Sequence, residues 1–561
     1  MDNKSLGGLI VIVVFVAIIA GVSIFNPYNH NTSPVNNAMI TVNQTGNNST
    51  NSNDILPSTT FLTFIPFSGV NSPSSSAVTP SPSPGPSPDP MDHIISLFDA
   101  YINSIYNQSL ITGMAVVIVK NDKIIYMNCR GVRDLASGAP VDENTLFGIG
   151  SATKQFAATN VAQLVSAGKM SWDDLITKYY PDSNEFQLYN DNVTDNITIR
   201  DCFLHRSGLP TGSGDVGWSF FNNSYPSVLH QLRYIQNTTP FRTTYQYNNI
   251  IYALPGYCAA KSSNTPWSEL IKKDLLDPLG MTTATTTLTD FLNSPNHAKP
   301  YWLLSNGTFI EHDIVLDSVG PAGSMACSIS QMANWLRFQI ADTGYYNGQK
   351  IVNKTDLDET RTAQIDYLIY KYGFGWYITN GTLFHGGDTN AFHANVEIFP
   401  SQNVGIAIFT DGGVYGIGYR DSFFYKLNDL MNGNENTDPW PAAKNTSEKR
   451  MDNPLGPSPS NKTDPLPLAT YLGVYSNDFY GNINITAFNN TLICYYGSNN
   501  QPSELTHWNE NVFYDQSCGG VPFNFTDIQN SQSYQLQVTG LKNYNTTPTA
   551  SYSVFNRTNS T

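Results

Sequence analysis

Four consecutive residues near position 150 have the types and spacing that nucleophilic chemistry needs. Ser151, Ala152, Thr153 and Lys154 form a Ser-x-x-Lys tetrad at the front of the helix-like stretch TLFGIGSATKQFAATNVAQLVSAGK. Residues three apart on a helix share a face, so the hydroxyl and the amine can come within proton-transfer reach. A serine hydroxyl needs a nearby base to attack at neutral pH. A lysine can be that base once burial or a cationic neighbour lowers its pKa. At a helix N-terminus the dipole and free N–H groups also favour developing negative charge. Taken alone, the tetrad reads more plainly as an N-cap followed by a solvated lysine.

Two further constellations lie downstream. Tyr247, Asn248 and Asn249 make a Tyr-x-Asn triplet just before an apolar helix. The phenol can relay protons and the amide can hold a substrate carbonyl. The plainer reading makes Asn249 the N-cap. Phe384, His385, Gly386 and Gly387 open a late strand, where glycines mark close backbone approach. A lone histidine there is more often structural. His93, His205, His230, His297, His312, His393 and His507 are scattered and read as ordinary surface or core residues. No Cys/His metal spacing occurs among them and the six cysteines, so neither metal nor cofactor is expected.

Around these lie the elements that must position them. Ala157, Val161, Leu164 and Val165 fall on one helical face behind Ser151. Residues 94–105 read as a helix and 113–132 as a hairpin turning at Asn121-Asp122. A further short segment runs from Trp172 to Tyr180. Gly212, Gly214 and Gly217 form a formal GxGxxG that follows no predicted strand and opens no apolar helix, so it reads as a loop. Residues 320–336 read as a glycine-rich turn entering a helix, and NVEIF and VGIAIFT as strands.

The chain of 561 residues carries a net charge of -15 and offers no basic stripe for nucleic acid. Residues 6–25 are continuously apolar or small, the length of a single membrane pass. A cleaved signal peptide ending near Gly21-Val22-Ser23 is the competing reading. Either places the body outside the cytoplasm, membrane-anchored or secreted. About twenty Asn-x-Ser/Thr sequons agree with export and would make a glycoprotein in a glycosylating host. Residues 26–90 are Asn/Ser/Thr-rich and then Pro-rich, an extended stalk. A globular domain spans 91–432, a second Asn/Pro/Ser-rich linker 433–465, and short alternating segments fill 466–561. The last read as a small all-β barrel, with Cys494 and Cys518 a plausible pair within it.

Ser-x-x-Lys, Tyr-x-Asn and His-Gly-Gly in this order, with flanks LHRSGLP, YNNIIYALPGY, GPAGSMACSISQMANWL and FHGGDTNAFHANVEIFP, resemble the serine beta-lactamase-like superfamily over residues 91–432. Its members include class C beta-lactamases, D-alanyl-D-alanine carboxypeptidases, D-aminopeptidases and esterases. The resemblance implies an α/β sandwich: an antiparallel sheet flanked by helices, plus a mostly helical lobe carrying the Tyr-x-Asn. It implies Ser151 as acylated nucleophile, Lys154 as its activating partner and Tyr247 as general base or leaving-group acid. Asn249 would bind the substrate's amide oxygen, and His385, Gly386 and Gly387 would line the substrate strand. The oxyanion hole would be the backbone N–H groups of Ser151 and Asp388. The family's commoner third motif has lysine where this chain has His385, which is mostly neutral at pH 7 and puts penicillin hydrolysis in doubt.

YLGVYSNDFYGNINIT and LTHWNENVFY are similar to a lipocalin-like domain found after the catalytic domain of some relatives. There the barrel can shape access to the site or mediate assembly. The expectation is thus an anchored or exported serine hydrolase acting on amide bonds of small peptides, D-residues included. A carboxylesterase on small acyl esters and an inactive cell-surface binding protein are the alternatives. Degenerate relatives usually lose Ser, Lys or Tyr, and here Ser151, Lys154 and Tyr247 all remain.

Overall fold

The computed structural model describes residues 89–558 apart from 304–306, 313, 315–316, 380, 452–458, 498–501, 516–520, 540 and 542–551. The expectations for residues 6–25 and for most of the stalk lie outside these residues, as does Cys518. No described helix is long and apolar enough to cross a membrane. The five described cysteines are free thiols.

A helix α1 (Pro90–Tyr106) leads into the hairpin read from sequence, β1 (Gly113–Lys120) and β2 (Lys123–Asp134), with the short β3 (Ala139–Pro140) after it. Six strands of one late block complete the sheet: β4 (Ile365–Tyr367), β5 (Tyr370–Tyr372), β6 (Tyr377–Thr379), β7 (Thr382–Asp388), β8 (His393–Phe399) and β9 (Val404–Thr410). The order is β4-β5-β6-β7-β8-β9-β1-β2-β3, antiparallel at every pairing. The N-terminal hairpin thus closes onto the C-terminal block through β1 and β9, which pair from Met114 with Thr410 to Lys120 with Val404. Both strands are buried along almost their whole length, hence their near-continuous Val/Ile/Ala composition.

Four helices of the hydrolase part position or support the site: α2 (Thr153–Ser166), α3 (Asp215–Ser219), α4 (Asn249–Ser263) and α5 (Ile329–Ala341). The single apolar face expected for α2 is a helix buried on nearly every side. The Gln155 side-chain oxygen and the Thr159 hydroxyl are bonded internally: Trp335 Nε1 donates to Gln155 Oε1 (3.2 Å), and Thr159 Oγ1 donates to the Gln155 carbonyl (2.9 Å). Satisfied in this way, polar residues can line a core helix.

The segment read as a linker from 433 contains helix α7 (Trp440–Met451), packed on the preceding α6 (Val414–Met431). The Trp440 and Tyr419 rings meet at 4.4 Å, and Ser447 Oγ donates to the Val414 carbonyl (2.8 Å).

The C-terminal strands close into an eight-stranded antiparallel barrel, from Gly473–Asn477 round to Tyr552–Arg557. The strand Ser503–Asn509 falls largely within LTHWNENVFY, one of the two stretches similar to a lipocalin-like domain. The barrel is joined to the hydrolase part by an aromatic plug. Phe221 is fully buried, with Tyr480 and Phe555 stacked on it at 5.7 and 6.2 Å and Tyr496 edge-on at 5.7 Å.

Candidate active site

Ser151 sits in a single 3-10 turn, Gly150–Ala152, that runs directly into α2. Gly150 adopts φ +49, which lets the chain turn sharply before the serine. The glycines of the late strand explain themselves here. A Cβ on Gly387 would lie 1.8 Å from the Ile149 carbonyl oxygen, and one on Gly150 would lie 2.6 Å from the Asp388 nitrogen. Two backbones touch, so the Asp388 main chain lies against the turn that carries Ser151.

Two side chains meet on the Ser151 hydroxyl. The Tyr247 phenol donates to Ser151 Oγ at 2.7 Å, and Lys154 Nζ stands 3.1 Å from the same oxygen. Lys154 is fully buried and also donates to Asn249 Oδ1 and the Ala322 carbonyl, each at 2.8 Å. Its Nζ lies 4.7 Å from the centre of the Tyr247 ring and 5.2 Å from that of Tyr252. Burial drives the lysine pKa well below its ordinary value, with Asp215 opposing. Burial drives the Tyr247 phenol well above its own. The pair therefore favours a neutral amine and a neutral phenol.

The cap of α4 is Asn248, whose side chain accepts from Ile251 N (2.9 Å). This overturns the plainer reading by one residue: Asn249 is released from capping and points inward. Its Oδ1 takes Lys154 and its Nδ2 donates to Asp215 Oδ2 (3.1 Å), so each end of the amide is engaged within the protein. Asp215 was passed over because it lies in the glycine-rich run read as a loop. It is buried, opens the short α3 behind Gly214 (φ +84), and accepts from Trp218 Nε1 (2.9 Å). Burial raises its pKa to about 6.

His385 is fully buried, and its ring packs against Tyr377 (5.0 Å) rather than standing open to a ligand. Nδ1 bonds the Gly386 carbonyl (2.5 Å) and Nε2 lies 3.3 Å from the Tyr372 hydroxyl. Burial, then the nearby Lys154, push its pKa down to about 3, so the ring is neutral. The ring gives the third motif no cationic group.

Two histidines read as ordinary are close to the site. The His205 ring lies 4.4 Å from the Tyr247 ring, tilted against it, and its Nδ1 accepts from Asn248 N (3.1 Å), steadying the helix entry that carries the phenol. His393 Nδ1 donates to Asp388 Oδ1 (2.8 Å), and the buried Arg420 from α6 pairs with the same carboxylate. Asp388 and His393 face each other across the β7–β8 hairpin, but nothing in local sequence links them to the others. Only the fold brings positions 205, 247, 388, 393 and 420 together.

A sheet with helices on it, a buried Ser–Lys–Tyr contact and a glycine strand against the serine turn define a serine hydrolase. The Beta-lactamase family model matches residues 98–417, and the chain belongs to that family. A second model, a domain of unknown function (DUF3471), matches residues 457–546. Among curated proteins, "Unguisins hydrolase ungD" of Aspergillus violaceofuscus is 24% identical over 418 residues, covering 66% of this chain and 73% of that protein. "Protein flp" of Staphylococcus aureus is 23% identical over 304 residues, covering 54% of this chain and 60% of its own length. Among solved structures, the octameric penicillin-binding protein homologue from Pyrococcus abyssi shares the fold at 19% identity with a TM-score of 0.53, over 79% of this chain and 98% of that one. SurE does so at 18% identity and a TM-score of 0.50, over 84% and 99%.

Proposed function

We propose that the chain is an extracytoplasmic serine hydrolase that cleaves amide bonds of small peptides, D-residues included, through an acyl-enzyme on Ser151. The observation that carries this is the convergence of Tyr247 and Lys154 on one hydroxyl, at 2.7 and 3.1 Å. A neutral Lys154 has two N–H groups, which the Asn249 and Ala322 carbonyls accept. Its lone pair then faces Ser151 Oγ. As Oγ attacks the acyl carbon, the amine takes its proton. The tetrahedral oxyanion forms between the N–H groups of Ser151 and Asp388. The Tyr247 phenol gives its proton to the departing amine and is reprotonated from Lys154. Water then reverses these roles to release the acid. A phenol held this far above its ordinary pKa acts as acid in acylation, and the depressed lysine as base.

With His385 buried and neutral, the third motif lacks a fixed cation for a substrate carboxylate. That favours neutral acyl donors over penicillins. Export rests on the apolar run at 6–25, which would tether the body to a membrane, and on the sequons. We read the closed barrel as a lipocalin-like domain that shapes the hydrolase part. The test is turnover by the full chain of a D-residue peptide anilide, a p-nitrophenyl ester and a penicillin, with Ser151→Ala beside it. The reading expects peptide turnover lost in the variant. Ester turnover without peptide turnover would replace it by the carboxylesterase reading. No turnover of any would favour a binding protein.

A further inference from the structure

We propose that Asp215 is the positioning carboxylate of this site: acting through the Asn249 amide, it aims Lys154 at Ser151 and offsets the charge that Lys154 gains. The inference rests on the reading of Ser151 and Lys154 as nucleophile and base.

An asparagine amide can be turned either way round, and what decides is the chemistry at its two ends. Asp215 Oδ2 accepts only, so it takes the Asn249 nitrogen (3.1 Å) and leaves Oδ1 for Lys154 (2.8 Å). Turned over, the amide would set a carbonyl against the carboxylate and an N–H against the amine. The carboxylate is itself fixed: Trp218 Nε1 holds Oδ1 at 2.9 Å. The loop behind it is pressed onto α4, since a Cβ on Gly214 would lie 2.6 Å from Ile250 Cδ1. Asp215, Asn249 and Lys154 thus form one line, buried throughout, ending on the nucleophile.

The other titratable groups around Lys154 carry no charge to balance it. Tyr247 and Tyr252 present their rings and are held as phenols by burial. His205 and His385 are held neutral by burial as well. Asp215 is the group whose charge favours the protonated lysine. During acylation the proton leaves Ser151 Oγ for Nζ as the Oγ–carbon bond forms, and it passes on through Tyr247 to the leaving group. Asp215 takes no proton. It supplies the negative charge beyond the amide while Lys154 is an ammonium.

The experiment is the pH dependence of fluorophosphonate labelling by the full chain, for wild type, Asp215→Asn, Asp215→Ser, Asp215→Glu and Ser151→Ala. The acid limb reports the protonation of Lys154. Removing the carboxylate weakens the lysine's hold on its proton, so the limb moves to lower pH by about one unit. The plateau rate falls by about 10- to 100-fold. Both neutral variants should do this, which guards against one of them failing to fold, and Asp215→Glu should leave the limb near its wild-type position. A limb unmoved in the neutral variants, whatever the loss of rate, overturns the inference and leaves Asp215 a structural residue. A wild type that does not label at all overturns the nucleophile reading and the inference with it.

Discussion

Gly387 is the sharpest place to perturb the site without removing a reacting group. Its side of β7 faces the Ile149 carbonyl, and an added Cβ would stand 1.8 Å from that oxygen and 2.8 Å from Ala152 N. Carbon–oxygen contacts between neighbouring strands normally lie at about 3.3–3.6 Å, so in Gly387→Ala the strand must retreat by roughly 1.5 Å. Neither neighbour yields easily, because both are main-chain atoms at the entrance of the buried α2. Overpacking of this kind costs about 1–3 kcal/mol of stability. The effect on chemistry is larger. The retreat carries the Asp388 N–H away from Ser151, and a misplacement of about 1 Å costs on the order of 100-fold in rate. Loss of one donor from the proposed oxyanion hole falls in the same range, roughly 100- to 1,000-fold. The assay is the second-order rate of fluorophosphonate labelling, with the thermal melt recorded beside it. Gly138→Ala is the control. That position has φ +67 but open space around an added Cβ, so it should lose some stability and no labelling rate. Labelling by Gly387→Ala within threefold of wild type, with an unaltered melt, would refute the apposition of β7 and the serine turn.

Three further predictions concern buried groups. Tyr247→Phe removes the donor 2.7 Å from Ser151 Oγ and keeps the ring packing, so amide turnover should fall about 100- to 10,000-fold with little change in melting temperature. Glu397, buried on β8 with Asn428 Nδ2 on its oxygens, has its pKa raised from 4.5 to about 8 by burial. The folded carboxyl holds its proton more tightly than the unfolded one, so its contribution is present below pH 4.5 and lost as pH rises through about 8. Denaturation at pH 5 and pH 9 should show wild type losing up to about 4 kcal/mol relative to Glu397→Gln between the two. Equal differences at both pH values would contradict the burial. Phe221→Ala empties the plug between barrel and hydrolase part and should cost about 3–5 kcal/mol by denaturant titration.

The side chains that meet around Ser151 were legible because their spacing is local. Three positions along a helix join Ser151 to Lys154, and two around a helix start join Tyr247 to Asn249. What was hidden depends on distance in sequence. Asp215 lies 34 residues from Asn249, in a glycine-rich run with no periodicity to mark it. Arg420 meets Asp388 from 32 residues away, on a helix whose sequence shows only ordinary mixed character. The α2 helix looked amphipathic because Gln155 and Thr159 are polar, and only the fold supplies their buried partners. Helix α7 escaped notice for the opposite reason. Its sequence, WPAAKNTSEKRM, is polar and has few apolar residues to reveal a face. The strand Ser503–Asn509 alternates weakly and runs almost directly into the next one.

Peptide mapping after the full chain reacts with a fluorophosphonate tests the central claim most directly. The account predicts one adduct, on the peptide containing Ser151, absent in Ser151→Ala and strongly slowed in Lys154→Met. An adduct on another residue, or undiminished labelling of Ser151→Ala, would contradict it.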